Sequence, residues 1–205
     1  MITRRKLLDR KVGHRDARLF VIAVEGEKTE ARYFAALEER AIVHPSRVKL
    51  HVLPATDGRS APRHVLERLD RAARELALQD FDETWLVIDR DRWTDKMLAE
   101  VATGARQREH QLAVSNPCFE LWLLLHVSDA GEAASCDEYG DRFRAVVGGW
   151  SKTGPMPAAL DAAAVREGVT RAEALDDGAQ GGWPQAIGTH VHRLVKRLLA
   201  IAPGR

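Results

Sequence analysis

The chain has 205 residues, of which 45% are apolar and 30% are charged, as in a globular protein with a sizeable core. Its 31 Lys and Arg residues nearly balance its 30 Asp and Glu residues, so bulk charge does not indicate a nucleic-acid-binding protein. The apolar runs at residues 19–24 and 121–125 are far too short to cross a bilayer, which excludes a membrane-spanning protein and favours a cytoplasmic one.

The first 18 residues are polar and follow no helical or strand period. Seven of them are basic: Arg4, Arg5, Lys6, Arg10, Lys11, Arg15 and Arg18. No apolar segment follows this basic stretch, so we expect no secretory signal. A solvated tail and an arm that contacts phosphate groups are both consistent with the composition.

Four segments predict β-strands. Residues 19–24 and 84–88 are continuous apolar runs, which are typical of strands covered on both faces of a parallel sheet. Residues 48–53 alternate between apolar and polar side chains, and residues 111–114 form a short fourth strand. Because helical segments separate the strands, the sequence predicts an α/β fold with a parallel sheet of about four strands flanked by helices.

Helices are predicted where apolar residues recur at helical spacing. The predicted ranges are 30–41, 61–76, 95–108, 118–127, 158–174 and 184–200. Thr29, Ser60 and Asn116 lie just ahead of three of these ranges, and we predict that they cap those helices. Residues 128–157 are rich in Gly, Ser and Asp and are predicted to be mostly loop.

These patterns divide the chain into three parts. They are a basic arm at 1–18, an α/β core at 19–127 and a loop-rich, helical extension at 128–205. For a chain of 205 residues, we expect the extension to pack on the core.

The sequence holds two cysteines, Cys118 in an apolar run and Cys136 in a polar segment. Two cysteines are too few for the disulfide framework of a small secreted protein, and no CxxC spacing indicates a zinc site. We therefore expect two free thiols in a reducing compartment.

Three acidic residues stand out because each follows a predicted buried strand. Glu25 comes after the first strand, and Asp89 and Asp91 come after the third. Ligand sites in parallel α/β sheets form beyond the carboxyl ends of the strands, so these carboxylates converge if the two strands are neighbours. Carboxylates without His or Cys suit Mg²⁺ or Mn²⁺, which would offset their mutual repulsion. Two solvated aspartates in a turn are the alternative interpretation of Asp89 and Asp91.

Three segments carry a resemblance to a known family. They are residues 24–30 with the Tyr33-Phe34 pair, residues 115–126, which read Ser-Asn-Pro-Cys-Phe-Glu-Leu-Trp-Leu-Leu-Leu-His, and residues 183–192. Together they resemble the RloB-like proteins over residues 19 to about 200. That family is similar to the Toprim catalytic fold of topoisomerases, primases and OLD-type nucleases.

The resemblance implies a Toprim-type metal site built from Glu25, Asp89 and Asp91. Many Toprim proteins cut or join phosphodiester bonds with Mg²⁺, so we expect a metal-dependent endonuclease that contacts the phosphate backbone of DNA or RNA. The resemblance also implies a role in bacterial phage defence and an ATPase partner encoded nearby, and a homodimer is one assembly consistent with it. The opening motif of the family adds three residues, Gly26, Thr29 and Glu30.

Water is the expected nucleophile. Toprim topoisomerases use a tyrosine, but Tyr33 and Tyr139 fall in a predicted helix and a predicted loop, and neither stands out. OLD-type nucleases use a later lysine, for which Lys152 is the candidate here; a solvated loop lysine is its alternative interpretation.

Four further residues are candidates for supporting roles. Glu120 is either another metal ligand or a first-turn acid that favours the helix N-terminus. Arg90 and Arg92 either contact phosphate oxygens or balance the neighbouring aspartates. Asn116 either contacts substrate or only caps its helix.

Two other functions remain open at this point. A non-catalytic adaptor or sensor could keep the same fold and bind nucleic acid or an ATPase. A phosphatase of the haloacid-dehalogenase type also ends a strand with DxD, but Trp93 stands where that family has Thr or Val. Gly26-Glu27-Lys28-Thr29 lacks the glycine spacing of a P-loop, so ATP hydrolysis by this chain is excluded.

Overall fold

The computed structural model describes residues 17–56, 58–133, 135–176 and 182–201. Except for its last two residues, the predicted basic arm lies outside the described residues. The described strands are β1 (Arg18–Val24), β2 (Val48–Leu53), β3 (Glu83–Asp89), β4 (Gln111–Asn116) and β5 (Gly188–Thr189). The four predicted strands are confirmed to within two residues at either end, and β5 was not predicted.

The described helices surround this sheet. They are α1 (Thr29–Glu39), α2 (Pro62–Glu75), α3 (Asp95–Gln107), α4 (Phe119–Leu125), α5 (Cys136–Val147), α6 (Ala162–Leu175) and α7 (Val191–Leu199). Among the described residues, no helix combines the length and the apolarity needed to span a membrane.

The sheet is mostly parallel, and its strand order is β2-β1-β3-β4-β5. The first four strands run parallel, and β5 pairs antiparallel with the end of β4. This confirms the predicted α/β fold. The pairing of β1 with β3, with Val24 opposite Val87, places the ends of these two strands side by side.

Helices cover both faces of the sheet, as the continuous apolar runs predicted. Phe20, Ile22 and Val24 of β1 pack in a large core that also contains residues of α1, α4, α5, α6 and α7. Val21 and Ala23 point to the opposite face, where a second core contains residues of α2 and α3. Neighbouring residues of β1 thus face different cores, since successive side chains alternate across a strand. The sequence-based division of the chain at residue 127 stays a prediction.

The three predicted helix caps are wrong. Thr29 is the first residue of α1, and Lys28 precedes the helix without a side-chain cap. Ala61 rather than Ser60 precedes α2, although the next residue is the expected first-turn proline. Asn116 ends β4, and its peptide bond to Pro117 is cis.

Asn116 instead fixes a distant segment of the chain. Its Nδ2 donates to the carbonyl oxygens of Pro184, Gln185 and Ala186 at 3.1, 3.2 and 2.8 Å. The same segment leads into β5, so α7 begins later than the predicted helix at 184–200. The side chain that the sequence predicted to cap a helix therefore makes a long-range contact instead.

The prediction of a loop over residues 128–157 is wrong in its middle. Helix α5 spans Cys136–Val147, and the Ser135 hydroxyl accepts a hydrogen bond from the Glu138 backbone N–H at its start. Its buried residues include Tyr139 and Phe143, which lie four positions apart on one narrow face. The other residues between positions 137 and 144 are charged or glycine, which concealed the apolar period of the helix.

The expectation of free thiols is also wrong. Cys118 and Cys136 form a disulfide, with their Cα atoms 6.0 Å apart. Cys118 lies just before α4 and Cys136 is the first residue of α5, so the bond joins the starts of these two helices.

A buried polar contact crosses the larger core. The Tyr33 hydroxyl of α1 lies 3.1 Å from His126 Nε2, and His126 Nδ1 lies 2.8 Å from the Trp122 carbonyl oxygen. Since a carbonyl only accepts, we assign the proton to Nδ1, and Nε2 then accepts from Tyr33. Burial lowers the pKa of His126 to about 4, so the ring stays neutral at physiological pH.

We expect Tyr33→Phe to lower the free energy of unfolding by about 1–3 kcal/mol, because it leaves the buried His126 Nε2 without its donor. Urea denaturation measures this. The matched control is Tyr139→Phe, whose hydroxyl donates to the carbonyl of the exposed Gly131, where water can replace it. Equal losses in the two variants would contradict the assigned role of the Tyr33–His126 contact.

Candidate functional site

Two carboxylates lie together at the carboxyl edge of the sheet. Glu25 directly follows β1, Asp89 ends β3, and the parallel pairing of these strands makes the two residues neighbours. The Glu25 backbone N–H donates to the Val87 carbonyl oxygen at 3.1 Å, which continues the ladder up to the acidic residue. The structure therefore brings together the strand ends that the sequence singled out.

A cavity of about 860 Å³ opens beside these residues. The acidic residues that line it are Glu25, Glu27, Glu30, Asp89, Asp91, Glu120 and Asp137. The basic residues that line it are Lys28, Arg92 and Lys152. Gly26 and Thr29 of the opening motif also lie on its wall. Acidic side chains thus outnumber basic ones around the cavity.

Glu25 is buried and held by two N–H donors. The indole Nε1 of Trp93 lies 3.1 Å from both carboxylate oxygens, and the Asp89 backbone N–H donates to Oε2 at 3.1 Å. Burial raises the pKa of Glu25 to about 7, and the charges of Asp91 and Glu30 add to this rise, while the two donors oppose it. Near neutral pH the carboxyl group is therefore poised between its two protonation states.

Asp89 experiences the strongest concentration of negative charge. Burial, and then repulsion from neighbours that include Glu30, Glu25 and Glu120, raises the pKa of Asp89 well above its usual value. A carboxylate in this position is unfavourable unless a positive charge approaches it.

Glu30 closes the loop between β1 and α1. Its Oε1 accepts a hydrogen bond from the Gly26 backbone N–H at 2.8 Å. A Cβ atom on Gly26 would lie 2.2 Å from Glu30 Oε2, so any larger residue would force this carboxylate to move. Burial raises the pKa of Glu30 as well. The contact explains why the opening motif pairs a glycine with a glutamate four residues later.

Lys152 reaches the cavity from the loop after α5. Its Nζ lies 2.9 Å from Glu120 Oε1 and 3.7 Å from Asp137 Oδ1. Glu120, in the first turn of α4, is buried, whereas the lysine side chain is about half exposed. The structure thus places both predicted residues at the acidic cavity and pairs them with each other.

Asp91 and Arg92 lie at the mouth of the cavity. Both residues are exposed, and Arg92 Nε is 3.6 Å from Asp91 Oδ2. This weak, solvated pair leaves the guanidinium able to reorient.

Arg90 and Asn116 are directed away from the cavity. Arg90 Nη1 donates to the carbonyl oxygens of Pro184 and Gln185, and its Nη2 donates to Asp95 Oδ1 at 3.0 Å. Asn116 holds the same segment, and neither residue lines the cavity. Both side chains fix the chain around residues 184–186 in this structure.

The donor chemistry of the cavity suits a hard cation, but the side chains are not arranged around one. Across the residues that the structure describes, no group of three or more His, Cys, Asp and Glu side chains stands in a metal-holding arrangement. Protein donors hold the carboxylates instead, Trp93 for Glu25 and Lys152 for Glu120. The oxygen-only donor set and the raised pKa values of Glu25 and Asp89 nevertheless fit Mg²⁺ or Mn²⁺.

Sequence reasoning missed two features of this site. Trp93 follows Asp91 by two positions, and its indole is the side-chain donor to Glu25. Helix α5 supplies Asp137 to the cavity wall, and the capping serine at 135 was the available signal for this helix.

Comparison with known proteins identifies the family. The family model described as RloB-like protein matches residues 20–198. Neither the curated proteins nor the solved structures that were compared include a match to the chain. Because the family model matches most of the chain, the protein belongs to the RloB-like family.

Proposed function

We propose that this protein is a Mg²⁺- or Mn²⁺-dependent nuclease of the Toprim type that hydrolyses phosphodiester bonds in DNA or RNA. The observation that carries the proposal is the gathering of Glu25, Asp89 and Asp91 around one cavity at the ends of β1 and β3. The raised pKa values of Glu25 and Asp89 support it, because they reflect negative charge that a divalent cation would offset.

Asp89 and Asp91 would hold the cation, Glu25 would be a third ligand or the general base, and Glu120 is a further candidate ligand. When bound, the ion would supply positive charge that polarises a phosphate group and lowers the pKa of a coordinated water. For Glu120 to take part, it would have to exchange its present contact with the Lys152 ammonium.

Glu25 is suited to accept a proton from the attacking water. In the metal-free protein its pKa of about 7 lies near physiological pH, and a bound cation would favour the ionised form that accepts a proton. The Trp93 indole and the Asp89 N–H fix the direction of its carboxylate. Lys152 and Arg92 carry the positive charge on the cavity wall that would steady phosphate oxygens.

Neither tyrosine is placed to attack a phosphate. Tyr33 is buried and bonded to His126, and burial raises the pKa of its hydroxyl. Tyr139 donates to the Gly131 carbonyl oxygen at 3.2 Å. Neither residue lines the cavity, which favours water as the nucleophile and hydrolysis over strand passage.

The biological setting belongs to the same proposal. The resemblance of RloB-like proteins to Toprim nucleases implies a cytoplasmic role in bacterial phage defence, with an ATPase encoded nearby as partner. We expect the protein, as a monomer or a homodimer, to show nuclease activity in the presence of that ATPase.

A non-catalytic adaptor is the second candidate. One observation favours it: Trp93 already donates to Glu25, and Lys152 is already paired with Glu120, although a metal would need these carboxylates as ligands. Such a protein would keep the fold and bind nucleic acid or an ATPase without cutting.

We expect Asp89→Asn and Glu25→Gln each to lower metal-dependent cleavage by on the order of a hundredfold or more, since they remove a ligand and a base. The assay measures cleavage of labelled DNA, mRNA and tRNA with Mg²⁺ or Mn²⁺, with and without the neighbouring ATPase. Asp80→Asn and Glu100→Gln change exposed acids outside the cavity and serve as matched controls.

Cleavage that persists in both cavity variants would show that Glu25 and Asp89 do not form a nuclease site. If the wild-type protein cuts none of these substrates under any condition yet binds nucleic acid or the ATPase, the adaptor is the better account.

We expect the metal-free protein to lose stability as the pH rises through 7. The folded pKa of Glu25 is about 7 and the ordinary value is 4.5, so its contribution is complete below pH 4.5 and lost above 7. The loss attributable to Glu25 is on the order of 3 kcal/mol by linkage. Glu25→Gln should remove it.

Urea denaturation at pH 5 and pH 8, in the presence of a chelator, measures this difference. Glu100→Gln is the control, and it should retain the wild-type dependence on pH. The same dependence on pH in Glu25→Gln and wild type would show that Glu25 is not the group responsible.

A further inference from the structure

The disulfide between Cys118 and Cys136 lies on the wall of the acidic cavity. Both cysteines line the cavity, together with Pro117, Ser135 and Asp137 around them. The Cys136 Sγ atom is 3.7 Å from Asp91 Oδ2, so the bond directly adjoins a candidate metal ligand. Its position distinguishes it from a disulfide that only joins remote surface loops.

The two sulfur atoms differ in access. Cys118 is only 1% exposed, whereas Cys136 is partly exposed at the start of α5. Cys136 is therefore the more accessible of the two cysteines to a reagent that enters the cavity. A partly exposed cysteine beside a buried partner cysteine is an arrangement that allows reversible disulfide formation.

The bond connects two parts of the cavity that otherwise come from different segments. On one side, the Pro117 carbonyl oxygen accepts hydrogen bonds from the backbone N–H groups of Arg90 and Asp91, both at 3.1 Å. On the other side, Asp137 at the start of α5 contacts Lys152. The disulfide thus ties the loop that carries Asp91 to the wall that carries Lys152.

We propose that Cys118 and Cys136 are a reversible oxidation site whose natural reactant is a low-molecular-weight disulfide. The Cys136 thiolate attacks one sulfur of that disulfide, which gives a mixed disulfide and releases one thiol. The Cys118 thiolate then attacks Cys136 Sγ and expels the second thiol. The two cysteines lose two electrons and two protons, which the external disulfide gains as two thiols.

Oxidation fixes the wall of the cavity, and reduction releases it. In the reduced protein, the start of α5 keeps only its non-covalent contacts, which include the Ser135 cap, the packing of Tyr139 and Phe143, and the Asp137–Lys152 pair. Local opening of this turn becomes easier, since its covalent link to the Asp91 loop is lost. The site does not depend on the proposed nuclease, because its oxidation state and its local opening are measured without metal or substrate.

The experiment equilibrates the full-length protein with buffers that span a range of reduced and oxidised glutathione ratios. Intact mass after thiol alkylation reports the oxidation state. Hydrogen exchange of the peptide that covers residues 135–140 reports the opening of α5. We expect a reversible transition between two free thiols and one internal disulfide, with exchange several-fold faster in the reduced form.

Two variants distinguish the effect of the disulfide from a general loss of stability at the start of α5. Cys136→Ser should show the fast exchange at every glutathione ratio. Ser135→Ala removes the neighbouring hydroxyl, keeps both sulfur atoms, and should retain a difference between the oxidised and reduced forms.

Three results would overturn the proposal. The thiols could stay free in fully oxidised glutathione, or the disulfide could resist excess reduced glutathione until the protein is unfolded. The third is a reversible disulfide with identical exchange in both forms, which would show that the bond does not restrain the cavity wall.

Discussion

The parallel pairing of β1 with β3 is the constraint on which the site depends. It sets Glu25 and Asp89 next to each other at an edge where helices on both faces exclude much of the solvent. Two carboxylates in such surroundings repel each other more strongly than in water, because the local dielectric constant is lower. Several contacts around the cavity offset this concentration of charge.

Several hydrogen-bond donors and one positive charge partly offset that repulsion. Trp93 supplies a neutral N–H to Glu25, the Gly26 backbone supplies one to Glu30, and Lys152 supplies a full positive charge to Glu120. These donors only partly compensate, since the pKa values of Glu25, Glu30 and Asp89 all remain raised. The remaining repulsion between these carboxylates lowers the stability of the folded protein. Such a cost is expected at a functional site rather than at a purely structural one.

The sequence reveals the strands and the acids for the same physical reason. A strand buried on both faces must be apolar along its length, so residues 19–24 and 84–88 are recognisable without tertiary information, and the first polar residues after them mark the sheet edge. The role of Asn116 could not be predicted in this way, because its carbonyl partners lie 68 to 70 residues later in the chain.

Helix α5 and the disulfide were concealed for related reasons. The helix buries a narrow face, so its apolar period is weak within a polar segment, although Ser135 was a readable cap. The two cysteines are separated by 18 residues, and only the packing of α4 against α5 brings them within bonding distance. Trp93 was noticed only as a departure from another family's motif, because nothing local indicates that its indole reaches back to the residue after β1.

The charge of the cavity also bears on how the proposed nuclease would bind its cation and its nucleic acid. Acidic residues outnumber basic ones on the wall of the metal-free cavity, so those carboxylates that are ionised would repel an approaching phosphate backbone. Binding a divalent cation reverses this locally by neutralising the carboxylates and presenting positive charge to the phosphate. For the proposed nuclease, we therefore expect a bound cation to favour the binding of nucleic acid.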